Sequence, residues 1–140
     1  MLVFDAVIYN EDRHFGNLGV LRDNHNGKVI GAAPAFDYGP SLFNFAAQDD
    51  LSDLDGDAKT RGTAYGITFE SVCQAVMGPV QRGQLHRLIV FAFERHPKLN
   101  LPPERLVAIE SHLQKRVRRL LELSPVEKKL QQRKKSIQER

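Results

Sequence analysis

Three oxygen-bearing side chains in the N-terminal part of this 140-residue chain stand in an order suited to work on a phosphate. Asp12 and Asn17 share the polar stretch Asn10-Glu11-Asp12-Arg13-His14-Phe15-Gly16-Asn17, and Asp37 lies in Phe36-Asp37-Tyr38-Gly39. A carboxylate in the first position can accept the proton of an attacking hydroxyl. An amide oxygen and a second carboxylate are hard ligands for magnesium, which keeps several waters and needs few protein atoms beside a nucleotide. The order Asp, four residues, Asn, then Asp-x-Gly is the lower half of a phosphoryl-transfer site. Asp-x-x-x-x-Asn alone is a weak signal; Asp-Arg-His-x-x-Asn with a later Phe-Asp-x-Gly is far more specific. The plain alternative has Asp12 opening a turn, Asn17 closing a loop and Asp37 capping the segment after it. It accounts for each residue but not for their order.

Such groups need elements to hold them. Leu2, Val3, Ala6 and Val7 fall on a helical stripe that Asn10 can end. Leu18 to Leu21 and Lys28 to Ala32 are short apolar runs flanking the turn signal Asp23-Asn24-His25-Asn26-Gly27. Asn26 and Gly27 both tolerate positive φ, so this stretch is expected to be a β-hairpin. Asn17 would stand at its entry and Asp37 just past its exit, bringing two residues distant in sequence to one metal.

At these residues the chain resembles the HipA-like kinases. The resemblance rests on Phe4-Asp5-Ala6-Val7-Ile8-Tyr9-Asn10, then Asp12-Arg13-His14 and Asn17, and on the run from Ala33 to Leu42 containing Phe36-Asp37-Tyr38-Gly39. It covers about the first 42 residues. Phosphoinositide kinases share Asp-Arg-His-x-x-Asn with a later Asp-x-Gly; the Ala-Pro-x-Phe-Asp run and the short hairpin favour the HipA-like family. The resemblance implies a mainly α fold with a small β-hairpin, the C-terminal lobe of a protein-kinase-like structure with its N-lobe absent. It implies Mg2+ with ATP as cofactor and transfer of the γ-phosphoryl group to a hydroxyl, on a protein Ser or Thr. Asp12 would be the catalytic carboxylate, His14 would orient the loop by hydrogen bonding, and Asn17 and Asp37 would bind magnesium. Arg13 is expected to be structural, pairing with a carboxylate or a backbone carbonyl.

The chain departs from that family in one respect. No Gly-x-Gly-x-x-Gly or Val-Ala-x-Lys stretch occurs in it, so nothing in it supplies the loop and lysine that cover the ATP phosphates. The expectation is a lobe truncated at its N-terminal side, inactive by itself, with an N-lobe polypeptide in trans as a partner. Its alternative is a non-catalytic remnant or interaction module. A basic-tailed nucleic-acid binder is a weaker third reading.

Composition narrows the class further. A chain of this length can bury a core, and no apolar run approaches the ~20 residues of a membrane span. The single cysteine, Cys73, excludes an intramolecular disulfide and suits a reducing cytoplasm. The net charge of +3 is uneven: residues 49–57 hold five aspartates and no base, whereas 104–140 hold 11 Lys or Arg against 5 Glu. The acidic stretch is expected to be a solvated loop, since it lacks the spacing of a calcium loop. Helices are expected behind Thr68, over 81–95 and behind Pro102-Pro103, the last with the stripe Leu106, Ile109, Leu113, Val117, Leu120. Residues 1–123 would form the lobe and 124–140 a basic helical tail.

Overall fold

A computed structural model describes residues 1–123, and the expected tail over 124–140 lies outside the described residues. The helices are α1 (Leu2–Ile8), α2 (Leu54–Thr60), α3 (Phe69–Val76), α4 (Pro79–Leu88) and α5 (Pro103–Leu121). Strands β1 (Val20–Arg22) and β2 (Val29–Ala32) form a two-stranded antiparallel sheet, and short 3-10 turns occupy Phe15–Asn17 and Asp49–Asp53. The fold of the described residues is therefore mainly helical with one small hairpin. No helix among them is long and apolar enough to cross a membrane.

Helix α1 depends on its surroundings. At seven residues it is too short to persist alone in water, yet Val3, Asp5, Ala6, Val7 and Ile8 are all buried in it. It packs against α3 and α5. The core formed there includes Ala6, Val7, Cys73, Val117 and Leu120, all essentially inaccessible. On α5 the stripe Leu106, Ile109, Leu113, Val117, Leu120 faces inward, as its spacing requires. Tertiary burial of these side chains, rather than intrinsic propensity, holds α1 in place. Its end is marked by Tyr9 in the left-handed region at φ 54°, with its ring packed on Phe43, Phe69 and His112.

Elsewhere the outcome differs from expectation in two places. The acidic stretch is not wholly loop: Asp53 caps α2, its carboxylate accepting from the Gly56 N–H at 2.8 Å. Asp55 and Asp57 lie in the first turn of that helix, where carboxylates complement the helix dipole. The helix expected over 81–95 stops at Leu88. Side chains of α5 take over the backbone beyond it, Gln114 donating to the Phe91 carbonyl at 2.9 Å and Glu110 accepting from the Phe93 N–H at 2.7 Å. Backbone groups satisfied in this way have no need of helical partners. The helix behind Thr68 is capped as expected, with the Thr68 hydroxyl accepting from the Ser71 N–H.

The hairpin forms with register Val20↔Ala32, Leu21↔Gly31 and Arg22↔Val29, irregular between Leu21 and Arg22. Its turn is closed by Asp23, whose carboxylate accepts from the backbone of His25 and Asn26, with Gly27 at φ 70°. Every residue of both strands is exposed.

Candidate functional site

The site is built on an ion pair buried between α1 and the loop at its C-terminal end. Asp5 and Arg13 are 3% and 2% exposed. Arg13 Nε donates to Asp5 Oδ2 at 3.0 Å and Nη2 to Oδ1 at 2.9 Å, while Asn10 Nδ2 donates to the same Oδ1 at 3.0 Å. This bidentate fork matches the planar geometries of guanidinium and carboxylate. Its hydrogen bond to Asp5 raises the Arg13 pKa above the ordinary arginine value, against the opposing effect of burial. The guanidinium also lies over the Tyr38 ring, 4.8 Å from its centroid.

The remaining nitrogen of Arg13 connects the two halves of the motif. Nη1 donates to the carbonyl of Asn17 at 3.3 Å and to that of Phe36 at 2.9 Å. Two chain segments on opposite sides of the hairpin thus share one donor, and Asp37 comes directly after the second of them. The Asp37 backbone is left-handed, φ 61°. Aspartate tolerates that region better than most residues, but it is still uncommon and must be imposed by its surroundings. The Arg13 anchor immediately before it supplies such a constraint.

The predicted site residues divide between buried and exposed positions. Asn17 is buried, and its Nδ2 donates to the Asp12 carbonyl at 3.1 Å. This fixes the amide so that Oδ1 is the atom left without a hydrogen bond among the described residues. Asp12 is exposed, with its N–H directed to Asn10 Oδ1 at 3.3 Å. His14 is exposed and caps the 3-10 turn, Nδ1 accepting from the Gly16 N–H at 3.0 Å. A Cβ at position 16 would come within 2.9 Å of the His14 ring, so glycine there permits the cap. Asp12 and Asn17 are thus joined directly, Asp37 is tied to Asn17 through Arg13, and His14 serves the loop's own backbone.

Does this donor set suit magnesium and ATP? An amide oxygen oriented by its own N–H and an exposed carboxylate are hard oxygens of the kind magnesium takes, with phosphate and water filling its other positions. The described residues contain no group of three or more His, Cys, Asp or Glu that could hold a metal ion. An Asn–Asp pair falls outside such a cluster by its composition.

Sequence reasoning missed the residues that brace the loop from behind. Glu11 accepts from the Gly62 N–H at 3.2 Å and pairs with Arg61 at 3.4 Å, and Arg61 pairs in turn with Asp57 at 2.8 Å. Arg105 donates to the carbonyls of Phe43 and Ala46, fixing the segment after Asp37. On α5, Arg116 donates to the Ala6 carbonyl and pairs with Glu70. Burial works to raise the Glu70 carboxyl, but the hydrogen bond and charge of Arg116 outweigh it and the net shift is downward. His112 bridges the Tyr9 hydroxyl and Asp55, each at 3.2 Å. Burial lowers its pKa despite Asp55, and burial likewise raises that of Tyr9. The i,i+4 spacing of Asp57 and Arg61 could have flagged that pair; the partners of Glu11, Arg105, Arg116 and His112 lie too far along the chain for spacing to reveal.

Comparison of the chain with protein-family models, with curated proteins and with solved structures gave no match.

Proposed function

We propose that the chain is the C-terminal, catalytic-loop lobe of a HipA-like ATP-dependent kinase, acting on a hydroxyl of a protein Ser or Thr. The observation that carries this reading is the sharing of Arg13 Nη1 by the carbonyls of Asn17 and Phe36. It supports a common role for Asn17 and Asp37, which the order of the motif alone only suggests. In this reading Asp12 is the solvent-facing base toward the acceptor hydroxyl, and Asn17 and Asp37 hold Mg2+. His14 positions the loop through its cap on Gly16. Bound magnesium would neutralise charge on the ATP phosphates. The protein contributes the positions of these oxygens, because catalysis of this class is mostly orientation and electrostatics.

Such catalysis is spread over two lobes, and this chain carries no lysine-and-glycine-loop motif for the phosphates. The isolated chain is therefore expected to transfer phosphate at no useful rate. A kinase N-lobe supplied in trans should raise both nucleotide affinity and turnover, measured with radiolabelled ATP. In that reconstituted system Asp12→Asn and Asp37→Asn should each abolish transfer without unfolding the chain, since both side chains are exposed. Transfer by the isolated chain that Asp37→Asn abolishes would contradict the need for a second lobe. Transfer unaffected by either substitution would contradict the site.

A second reading, a non-catalytic interaction module, is favoured by the hairpin. Val20, Leu21, Val29 and Ile30 are all exposed there, beside Phe15 at 83% exposure. An apolar strand pair open on both faces suits contact with another polypeptide. The nucleic-acid reading depends on a basic excess that lies largely within residues 124–140, outside the described residues.

A further inference from the structure

A small cavity lies at the foot of the loop 10–17, between α1, α3 and the segment 63–69, and neither Asn17 nor Asp37 lines it. Its volume is about 190 Å³. Leu2, Ile67, Phe69, Val72 and Val76 give it apolar walls. The polar side chains of Asp5, Asn10, Arg13, Thr63 and Ser71 also border it, and all are already partnered. Asp5, Asn10 and Arg13 hold one another. The Thr63 hydroxyl donates to the Ile67 carbonyl at 2.7 Å, and that of Ser71 shares a hydrogen bond with Thr68 at 2.8 Å. A polar or charged occupant would therefore lose its water with little to replace it, whereas an apolar one loses nothing. An apolar cavity of about 150 Å³ accommodates benzene, so this one has room for a single group of that size.

The position of this cavity relative to Asp12 gives it a use. Asn10 and Arg13, which border it, stand on either side of the exposed Asp12 in the chain. Tyr65, a half-exposed member of the lining, meets Phe15 edge to face with ring centroids 6.4 Å apart. Phe15 is itself 83% exposed, so apolar surface continues from the cavity onto the loop that carries Asp12. A patch of this kind beside a pocket suits a polypeptide laid across the loop with one side chain anchored in the pocket. We propose that the cavity is a specificity subsite. It takes one apolar side chain, of leucine or phenylalanine size, next to the hydroxyl of an acceptor polypeptide. The inference rests on the phosphoryl-transfer reading for the hydroxyl at Asp12, and on the cavity itself for the apolar side chain.

The test is titration of the full chain, followed on its amide resonances, with benzene and with the blocked peptides Ala-Leu-Ser-Leu-Ala, Ala-Ala-Ser-Ala-Ala and Ala-Gln-Ser-Gln-Ala. Benzene and the leucine peptide should both shift Ile67, Val72 and Val76 saturably, and the peptide alone should also shift Asp12. The alanine peptide should bind about tenfold more weakly, the lower end of what burial of a leucine side chain supplies. The glutamine peptide, similar in bulk to the leucine one, should do no better than the alanine peptide. Ala75→Phe, at an exposed lining position of α3, should fill the cavity, abolish the benzene response and remove the preference for leucine without lowering the melting temperature. Ile67→Ser, at a half-exposed wall, should weaken benzene and the leucine peptide together. Absence of a saturable response to the leucine peptide would overturn the proposal, as would equal binding of the three peptides or binding indifferent to both substitutions. A dimer in sedimentation that Ala75→Phe abolishes would put a second copy of the chain in the cavity and overturn it too. Selective binding of the leucine peptide, with no transfer to its serine when an N-lobe is supplied in trans, would overturn the phosphoryl-transfer reading and leave the apolar subsite standing.

Discussion

The loop 10–17 and the adjoining hairpin are neighbours in sequence and opposites in construction. In the loop, Asn10, Arg13 and Asn17 are buried, and their side chains hold backbone and carboxylate groups on both sides. In the hairpin every strand residue is exposed, and the turn is held only by its own local hydrogen bonds. The polar segment is the one tied across the fold, and the apolar segment is the one bonded only within itself. Short apolar runs are usually taken to mark the supported part of a structure. Here the support for Asn17 and Asp37 comes from Arg13, and the hairpin only carries the chain from one to the other.

Removing the support should therefore have a large effect. Arg13→Ala leaves Asp5 buried without its partner, a change that typically costs about 3–5 kcal/mol. Urea unfolding should show a midpoint shift of that size with little change in slope. Arg13→Lys should recover only part of it, because a single ammonium cannot form the planar fork on Asp5 and reach both carbonyls at the same time. A loss below about 1 kcal/mol in Arg13→Ala, within the range of an exposed salt bridge, would show that the pair does not organise the loop.

A smaller effect should separate the two regions by pH. His112, between the Tyr9 hydroxyl at the end of α1 and Asp55 on α2 with Arg116 nearby, has a pKa lowered by burial. The unfolded chain then binds more protons than the folded one near the ordinary histidine value of about 6.5. Its contribution to stability is complete above that pH and is lost as pH falls through the lower folded value. His112→Gln should flatten this part of the pH–stability profile.

The smallest effect should come from the hairpin surface. Ile30 is 67% exposed, so Ile30→Ser should change stability by no more than about 0.5 kcal/mol. A loss several times larger on thermal or urea unfolding would mean that the strand face is covered in solution. That result would favour the interaction-module reading of this region.

How much of this was legible in the sequence depended on whether the cause was local. The helical stripe on α5 and the Thr68 cap act within a few residues, and each appears where its spacing put it; the hairpin forms as well, although of Asn26 and Gly27 only the glycine takes a positive φ. Arg13 could be assigned a structural role because it stood beside the motif, although its carboxylate, Asp5, was not specified. What was not legible depends on contacts across the fold. Past the early end of α4 the backbone is held by Glu110 and Gln114 on a later helix. The short helix α2 hid in a run of aspartates that also reads as loop. The bracing pairs of Glu11 with Arg61, and of Arg116 with Glu70, span stretches of sequence that no local pattern connects.

Arg13, on this account, holds Asn17 and Asp37 where a magnesium–nucleotide complex can use both. Paramagnetic relaxation by Mn2+ with ATP, read on the amide resonances of the intact chain, tests that claim most directly. Nucleotide-dependent broadening should centre on Asn17 and Asp37, vanish in Asp37→Asn and disperse in Arg13→Lys, while His25 stays sharp throughout. Broadening confined to the acidic stretch at 49–57, or unchanged in Asp37→Asn, would contradict it.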